Sequence, residues 1–263
     1  MSTIIQISNI VLHFGGIKAL EDVSFAAKKG EIVALVGPNG AGKTCVLNCI
    51  CGIYHPSAGE IKLGDRGIIG LPQHQIAALG IGRTFQFVEL FRHMTVVENI
   101  MLGRHLHMKS GIIKGGVYWG SAKREEDANV REIEKLISFF ELGKYRSLPV
   151  YTLSYGVQKF IGVARAMAME PQILLLDEPS TGMNRKEKEN LARILLRLKD
   201  EKEIPMIWVE HDIPLVGDLA DRIVVLDYGK KIAEGIPEEV LRAPQVIEAY
   251  LGPGLQKLIC NEG

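Results

Sequence analysis

The sequence predicts an α/β fold with a mainly parallel sheet, joined to an antiparallel β-subdomain and an α-helical subdomain. Three stretches of the chain support this prediction. After Pro171, apolar runs of strand length alternate with helical patterns, as they do in a parallel sheet. Residues 4–36 and 57–72 indicate successive strands separated by glycine turns, which is typical of a small antiparallel sheet. Residues 73–162 interrupt these strands with helical apolar spacing.

The elements of the core are predicted from apolar runs and from the glycines that end them. Strands are expected at residues 32–36, 173–176, 206–209 and 223–227, and helices at residues 43–51, 185–202 and 213–220. Residues 1–86 and 163–263 therefore form the expected α/β core with its N-terminal antiparallel sheet. Residues 87–162 are the expected helical insert.

The insert contains two recognisable helical patterns. Thr95, followed three residues later by Glu98, predicts a capping box at the start of a helix. Residues 122–141 are strongly charged and amphipathic, so their charges are expected on a solvated face. Four apolar residues of this stretch are expected to face inward, namely Val130, Ile133, Ile137 and Phe140.

The composition limits the classes of function. The chain has 263 residues, 47% of them hydrophobic, which is enough for one large domain or a core with an attached lobe. Lys+Arg and Asp+Glu both total 31, so the formal net charge is zero, which argues against a nucleic-acid binder driven by electrostatics. No apolar stretch approaches the ~20 residues that cross a bilayer. The first residues, MSTIIQISNI, have no basic residue ahead of their apolar part, unlike a secretory signal.

The stretch GPNGAGKT at residues 37–44 fits the phosphate-binding pattern G-x-x-x-x-G-K-[ST]. An apolar run enters this stretch as a strand would, and a helical run leaves it. Its glycines let the backbone aim N–H groups inward, and the helix N-terminus adds partial positive charge. Lys43 is expected to reach the β- and γ-phosphates of a nucleotide, and the Thr44 hydroxyl is expected to hold Mg²⁺. The residues expected around the phosphates are Gly37, Pro38, Asn39, Gly40, Ala41, Gly42, Lys43, Thr44 and Cys45.

A second motif, ILLLDEP, is an apolar strand that ends in two acids, Asp177 and Glu178. Asp177 is expected at the carboxyl edge of the sheet, where it could hold Mg²⁺ together with Thr44. Glu178 would then orient or deprotonate the attacking water. The motif alone is weakly informative, and its combination with the phosphate loop favours a catalytic role.

A third motif, LSYGVQ at residues 153–158, precedes a helical stretch and is called the signature stretch below. Ser154 suits a helix N-cap, and Gly156 would let a phosphate approach the backbone. Taken alone, the capping role is a sufficient explanation. Phe14 lies upstream of the phosphate loop, where an aromatic ring can stack on adenine, although its pattern alone favours a core phenylalanine.

Taken together, these motifs occur in the order found in ABC transporter ATPases, which nearly the whole chain resembles. The resemblance implies a P-loop NTPase fold with a RecA-like sheet, which binds ATP and Mg²⁺. It assigns Phe14 to adenine stacking, Gln86 to the Mg²⁺ site and to sensing of the membrane partner, and His211 to the γ-phosphate. The resemblance also implies a head-to-tail dimer, in which the signature stretch of one subunit, with Ser154 and Gly156, completes the ATP site of the other. The resemblance thus implies three catalytic residues, namely Lys43, Glu178 and His211. It implies three metal ligands, namely Thr44, Gln86 and Asp177.

Two further features narrow the resemblance. The segment RTFQ at residues 83–86, followed by LFRHMTVVENI, and the late VIEAYLG are similar to the LivG-type ATPases of branched-chain amino-acid importers. The resemblance implies a second cassette (a copy of this chain or a relative), transmembrane permease subunits, an indirect solute-binding protein, and the cytoplasmic face of the membrane. ATPases of urea or lipopolysaccharide transporters, and soluble ABC ATPases, are the alternatives. Two positions depart from the family pattern. Val157 stands where the family usually has Gln, and Phe160 stands where a basic residue is common.

Overall fold

The computed structural model describes residues 2–84, 89–107 and 121–251, and two sheets form its framework. The first sheet is antiparallel, with strands in the order β2-β1-β4-β5. Its strands are β1 at Thr3–Phe14, β2 at Ile17–Lys28, β4 at Ala58–Leu63 and β5 at Arg66–Gly67. This sheet confirms the predicted antiparallel β-subdomain.

The second sheet has six strands in the order β10-β9-β3-β8-β7-β6, and only β10 runs antiparallel to its neighbour. Its strands are β3 at Ile32–Val36, β6 at Ile81–Arg83, β7 at Ile173–Asp177, β8 at Met206–Val209, β9 at Arg222–Asp227 and β10 at Lys230–Gly235. The mainly parallel sheet is therefore confirmed. The sequence analysis missed β6, which is three residues long and contains a glycine.

Helices cover the second sheet and form the insert. They are α1 at Lys43–Ile50, α2 at Gln73–Ala78, α3 at Val96–Met101, α4 at Ser121–Phe139, α5 at Tyr155–Met167, α6 at Arg185–Lys202, α7 at Ile213–Leu219, α8 at Pro237–Val240 and α9 at Pro244–Leu251. The capping box of Thr95 and Glu98 is present, as predicted. Helix α5 continues across the expected boundary at residue 162. Within the described ranges, no helix has the length and apolar character that crossing a bilayer requires.

The six-stranded sheet separates two hydrophobic cores because its strands alternate their side chains between the two faces. Val33 and Leu35 face the antiparallel sheet and α1, whereas Ile32 and Ala34 face the helices. All five residues of β3 and all five of β7 are buried. The phosphate loop therefore follows one fully buried strand, and Glu178 follows another.

The inward face of α4 differs from the prediction at one position. Ile133, Ile137 and Phe140 are buried as expected, but Val130 is 36% exposed. Asn129 takes the inward position instead and accepts a hydrogen bond from Nε of Arg104 at 2.9 Å. A buried polar pair between two segments of the insert therefore takes the place that the apolar pattern had assigned to Val130.

Candidate active site

The phosphate loop connects β3 to α1 with a backbone that only glycine adopts easily. Gly37 has φ 145°, and a Cβ there would lie 2.0 Å from the carbonyl oxygen of Leu226. Gly42 has φ 99°, and its Cβ would lie 2.8 Å from the carbonyl oxygen of Ala19. Neighbouring strands thus press the loop from two sides, and a side chain at either glycine would displace backbone.

Lys43 points back into the loop that precedes it. Its Nζ donates hydrogen bonds to the carbonyl oxygens of Gly37 at 2.7 Å and Pro38 at 2.9 Å, and the residue is buried. Burial lowers the pKa of Lys43, while the charges of Glu178 and Asp177 oppose that shift. The cation is therefore held at the centre of the loop, beside the two acids of ILLLDEP.

A cleft of about 410 Å³ opens beside the loop. It brings together most of the predicted phosphate-binding residues and the predicted catalytic Glu178. The cleft is lined by Asn39, Gly40, Ala41, Gly42, Lys43, Thr44, Cys45 and Glu178, and also by Ile17, Lys18, Ala19, Tyr228 and Gly229. The second group was missed, because strand β2 and the turn after β9 are distant in sequence from the motif.

Asp177 ends β7 and is almost completely buried. Its Oδ2 accepts a hydrogen bond from Nη2 of Arg83 at 3.1 Å, and Nη1 of Arg83 donates to Asn48 at 2.7 Å. Desolvation raises the pKa of Asp177, and Arg83 opposes that shift. Its Oδ1 has no hydrogen-bond partner in the part of the chain that the structure describes.

That orphaned oxygen is the observation that tests a magnesium site. A buried carboxylate oxygen without a donor suits a hard cation, and Thr44 lines the adjacent cleft. Over the described ranges, no group of three His, Cys, Asp or Glu side chains could hold a metal. One carboxylate oxygen and one hydroxyl fit an ion that takes few protein ligands and obtains the others from phosphate and water, as Mg²⁺ does.

Glu178 and His211 lie together at the ends of neighbouring strands. Nδ1 of His211 is 3.9 Å from Oε2 of Glu178, and the imidazole is about half exposed (54%). The Glu178 residue has φ 46°, and its N–H donates to the carbonyl oxygen of Val209 at 2.9 Å. Thr181 Oγ1 donates to Oε2 of Glu178 at 3.3 Å, so the carboxylate is held from the following turn.

Glu210 is a site residue that the sequence analysis missed. It is fully buried, and its carboxylate accepts hydrogen bonds from the N–H groups of Ser180 at 3.1 Å and His211 at 2.9 Å. It thus fixes the turn after Glu178 relative to the histidine. The available signal was its position, because an acid directly follows the apolar strand β8 as Asp177 ends β7.

The signature stretch faces a different cavity, of about 670 Å³. Ser154 caps α5, as predicted, by accepting a hydrogen bond from the N–H of Val157. Its hydroxyl also donates to Oε1 of Glu187 at 3.1 Å. The Glu187 carboxylate covers Gly156, where an added Cβ would lie 2.3 Å from its Cδ. Ser154 and Gly156 do not line the phosphate-loop cleft of their own chain.

Three other residues were singled out in the sequence, namely Phe14, Phe160 and Gln86. Phe14 is 46% exposed and packs edge-on against Tyr54 with ring centroids 4.9 Å apart, so it is not a core residue. Phe160 is buried in the core beside the insert. Gln86 lies outside the described residues, and its expected role stays a prediction.

Two models of known protein families match this chain. A family model described as "ABC transporter" matches residues 20–181, which include the phosphate loop, the signature stretch and both acids. The chain belongs to the ABC transporter family. A second model, described as "Branched-chain amino acid ATP-binding cassette transporter", matches residues 230–252 of this ABC cassette.

Individual relatives of the cassette agree in sequence and in fold. The ATP-binding protein LivG of Salmonella typhimurium, named for high-affinity branched-chain amino acid transport, is 39% identical over 95% of this chain and 98% of its own length. A solved cassette of an ABC transporter in its ADP conformation has a TM-score of 0.83 at 29% identity, covering 96% of this chain and 100% of its own. A dimeric cassette in a post-hydrolysis state with ADP and Pi has a TM-score of 0.73 at 25% identity, covering 89% and 98%. The predicted P-loop NTPase fold is confirmed.

Proposed function

We propose that this cassette is the ATP-hydrolysing subunit of an ABC importer for branched-chain amino acids. The observation that carries the proposal is the single cleft in which the phosphate loop and Glu178 meet. The match of residues 230–252 and the LivG relative support the class of solute. An ATPase subunit need not touch the solute, so this part of the proposal depends on relatedness.

The phosphate loop binds the triphosphate. Inward N–H groups of the loop and the N-terminus of α1 favour negative charge, and Lys43 is placed at the centre of the loop. Transfer of a phosphoryl group depends mainly on positioning and charge neutralisation, which these groups supply. Phe14, which is half-exposed, offers a ring face for the adenine.

Thr44 and Asp177 would hold Mg²⁺, with Gln86 as a further ligand. The ion would neutralise charge on the phosphate oxygens of the nucleotide. Arg83 leaves Oδ1 of Asp177 available by bonding only Oδ2 in the described structure. Desolvation of Asp177 raises its pKa, so the carboxylate becomes a better ligand as pH rises through that pKa.

Glu178 accepts the proton of the attacking water, and His211 contacts the γ-phosphate. Both side chains come from the carboxyl ends of β7 and β8, where ligands of parallel sheets collect. The hydroxyl of Thr181 and the imidazole of His211 approach the Glu178 carboxylate and orient it. Water attacks the γ-phosphorus in line, its proton passes to Glu178, and the bond to the β–γ bridging oxygen breaks, so that ADP leaves and inorganic phosphate is formed.

A second cassette completes the site. Ser154 lines a cavity away from the phosphate loop of its own chain, and a cassette with ADP and Pi bound forms a dimer. Ser154, and Gly156 once the Glu187 carboxylate moves aside, would therefore contact the nucleotide of a partner. The partner is a copy of this chain or a related cassette. The insert at residues 87–162 would transmit closure to permease subunits at the cytoplasmic face of the membrane, with the solute-binding protein on the far side. The exposed ring of Phe91 is part of that surface.

The hydrolysis is tested with Glu178→Gln. The variant should bind ATP with unchanged affinity, and its rate of phosphate release should fall by about a hundredfold or more. It should accumulate as a closed dimer in the presence of Mg-ATP. Thr181→Val serves as a milder control, because it removes only the hydroxyl that holds the carboxylate. Near-normal phosphate release by Glu178→Gln would refute the proposed base.

The solute is tested in the complete complex. The cassette is co-purified from membranes with its permease and receptor, and leucine, isoleucine, valine and urea are compared as stimulators of its ATPase activity. Stimulation by the three branched amino acids supports the proposal. Stimulation by urea alone, or co-purification with RNA in place of membrane subunits, would contradict it.

A further inference from the structure

Lys159 is a buried lysine that the mechanism above does not use. It lies on α5, directly after the signature stretch, and is 6% exposed. Burial lowers its pKa, whereas Glu210, Glu178 and Asp177 favour its charged form. A cation from the insert therefore reaches the three acids that end β7 and β8.

The side chain of Lys159 ends on the backbone of the proposed catalytic base. Its Nζ donates a hydrogen bond of 2.7 Å to the carbonyl oxygen of Glu178. The N–H of Glu178 is bound to Val209, so both sides of this residue's backbone are held. The φ of 46° is uncommon for a residue with a side chain, and such conformations persist where surrounding contacts impose them.

The residue that follows the lysine lies in a different environment. Phe160, where ABC transporter ATPases often have a basic residue, is buried in the hydrophobic core. The cation is found one position earlier, at Lys159, on the side of α5 that faces β7. The ring of Tyr155 lies 5.3 Å from its Nζ and covers the ammonium on the helix side. This chain thus keeps a basic residue on the signature helix and directs it to one carbonyl.

We propose that Lys159 is a positioning residue for ATP hydrolysis, which holds the Glu178 backbone so that the carboxylate faces the attacking water. This inference rests on the proposed role of Glu178. Without the lysine, the Glu178 carbonyl loses its bond of 2.7 Å, while the longer bond from the N–H of Thr181 at 3.3 Å remains. The residue can then relax from its left-handed conformation, and the carboxylate moves from the line of attack while the phosphate loop stays intact.

The test uses the full chain with Lys159→Met, which keeps the length of the apolar stem and removes the ammonium. We expect kcat for ATP to fall by about tenfold or more, because small misplacements of a catalytic group are costly. KM and the Kd for a fluorescent ATP analogue should stay within about twofold of the wild-type values. Lys159→Arg, which keeps a charged donor, should recover kcat to within about threefold of wild type.

Controls separate this inference from folding and from the proposed function. Lys199→Met removes a lysine paired with Asp221 on another part of the chain, and should keep wild-type kcat. If Lys159→Met does not fold, Lys159→Gln keeps a polar donor that is one atom shorter, and should show the same loss of kcat. A wild-type kcat in either variant, or equal losses of kcat and ATP affinity, would overturn the inference. Absence of Mg²⁺-dependent hydrolysis in the wild-type chain, with or without its partners, would instead contradict the proposed function.

Discussion

Substitution of Gly156 by Ala separates the stability of the signature stretch from its proposed function. The added methyl carbon would lie 2.3 Å from Cδ and 2.4 Å from Oε1 of Glu187. The clash is with the end of a flexible side chain, so the carboxylate can swing away. In doing so it loses the Ser154 hydroxyl at 3.1 Å and the Asn184 N–H at 3.0 Å.

The expected change in stability is small because two effects oppose each other. Loss of the Asn184–Glu187 capping box costs about 1 kcal/mol, in the range of N-cap losses. Alanine in place of glycine within α5 returns up to about 1 kcal/mol through helix propensity. The free energy of unfolding should therefore stay within about 1 kcal/mol of wild type.

The expected change in activity is large. A methyl group at this position would hold a phosphate of the partner's nucleotide away from the α5 backbone. A hydrogen bond to a charged group contributes about 1.5–3 kcal/mol, so loss of one such contact lowers the rate by about tenfold to a hundredfold.

Urea unfolding and phosphate release are measured on the same preparation. Gly162→Ala is the matched control, because it lies on the same helix and, outside that helix, no atom of the described residues is within 4 Å of its added Cβ. The control should be at least as stable as wild type and fully active. Wild-type ATPase activity in Gly156→Ala would refute the proposal that Gly156 lets the partner's phosphate approach the α5 backbone. A loss of more than about 3 kcal/mol in the free energy of unfolding would show that the Glu187 side chain cannot move away.

Three further predictions concern the core, a thiol and the exposed insert. Phe140→Ala empties a fully buried ring site and should lower the free energy of unfolding by about 3–5 kcal/mol in urea titrations; a loss below about 1 kcal/mol would contradict the packing. Burial, with Cys45 nearby, raises the pKa of Cys49 to about 12, so native Cys49 should resist iodoacetamide at about pH 8.5 and react after unfolding, as mapped by mass spectrometry. Because the folded pKa exceeds the unfolded one, the stability contributed by this protonated thiol is lost as pH rises from about 9 towards 12, and equal labelling of native and unfolded chains would refute the assignment. Phe91→Asp alters a ring that is 58% exposed, and should leave the ATPase activity of the isolated chain intact while uncoupling solute uptake in the complex; normal uptake would remove Phe91 from the permease surface.

The core of this fold could be predicted from the sequence because its signals are local. Strand β3 and strand β7 are enclosed on both faces and therefore read as unbroken apolar runs. Helix α6 was predicted to the residue, since Asn184 caps its start and Glu203 leaves the helical conformation at its end. Strand β6 offered three residues with a central glycine, which is too little for a periodic pattern.

The candidate site divides along the same line. The phosphate loop was predicted because its geometry lies within eight consecutive residues that an apolar strand introduces. The contacts that hold the acids were not, because they join residues far apart in sequence. Arg83 and Asp177 are separated by 94 residues, and Lys159 and Glu178 by 19. The exposed Val130 shows the same limit, since the inward-facing residue beside it, Asn129, is bound by Arg104, which is 25 residues away.

The buried ammonium of Lys43 has a consequence for how nucleotide binding is linked to folding. Its Nζ donates to two neutral carbonyl groups, and burial disfavours its charged form. A triphosphate beside it would favour that charged form and would be attracted more strongly than by a lysine in water. Nucleotide should therefore raise the free energy of unfolding of this domain, by an amount that grows with the nucleotide concentration.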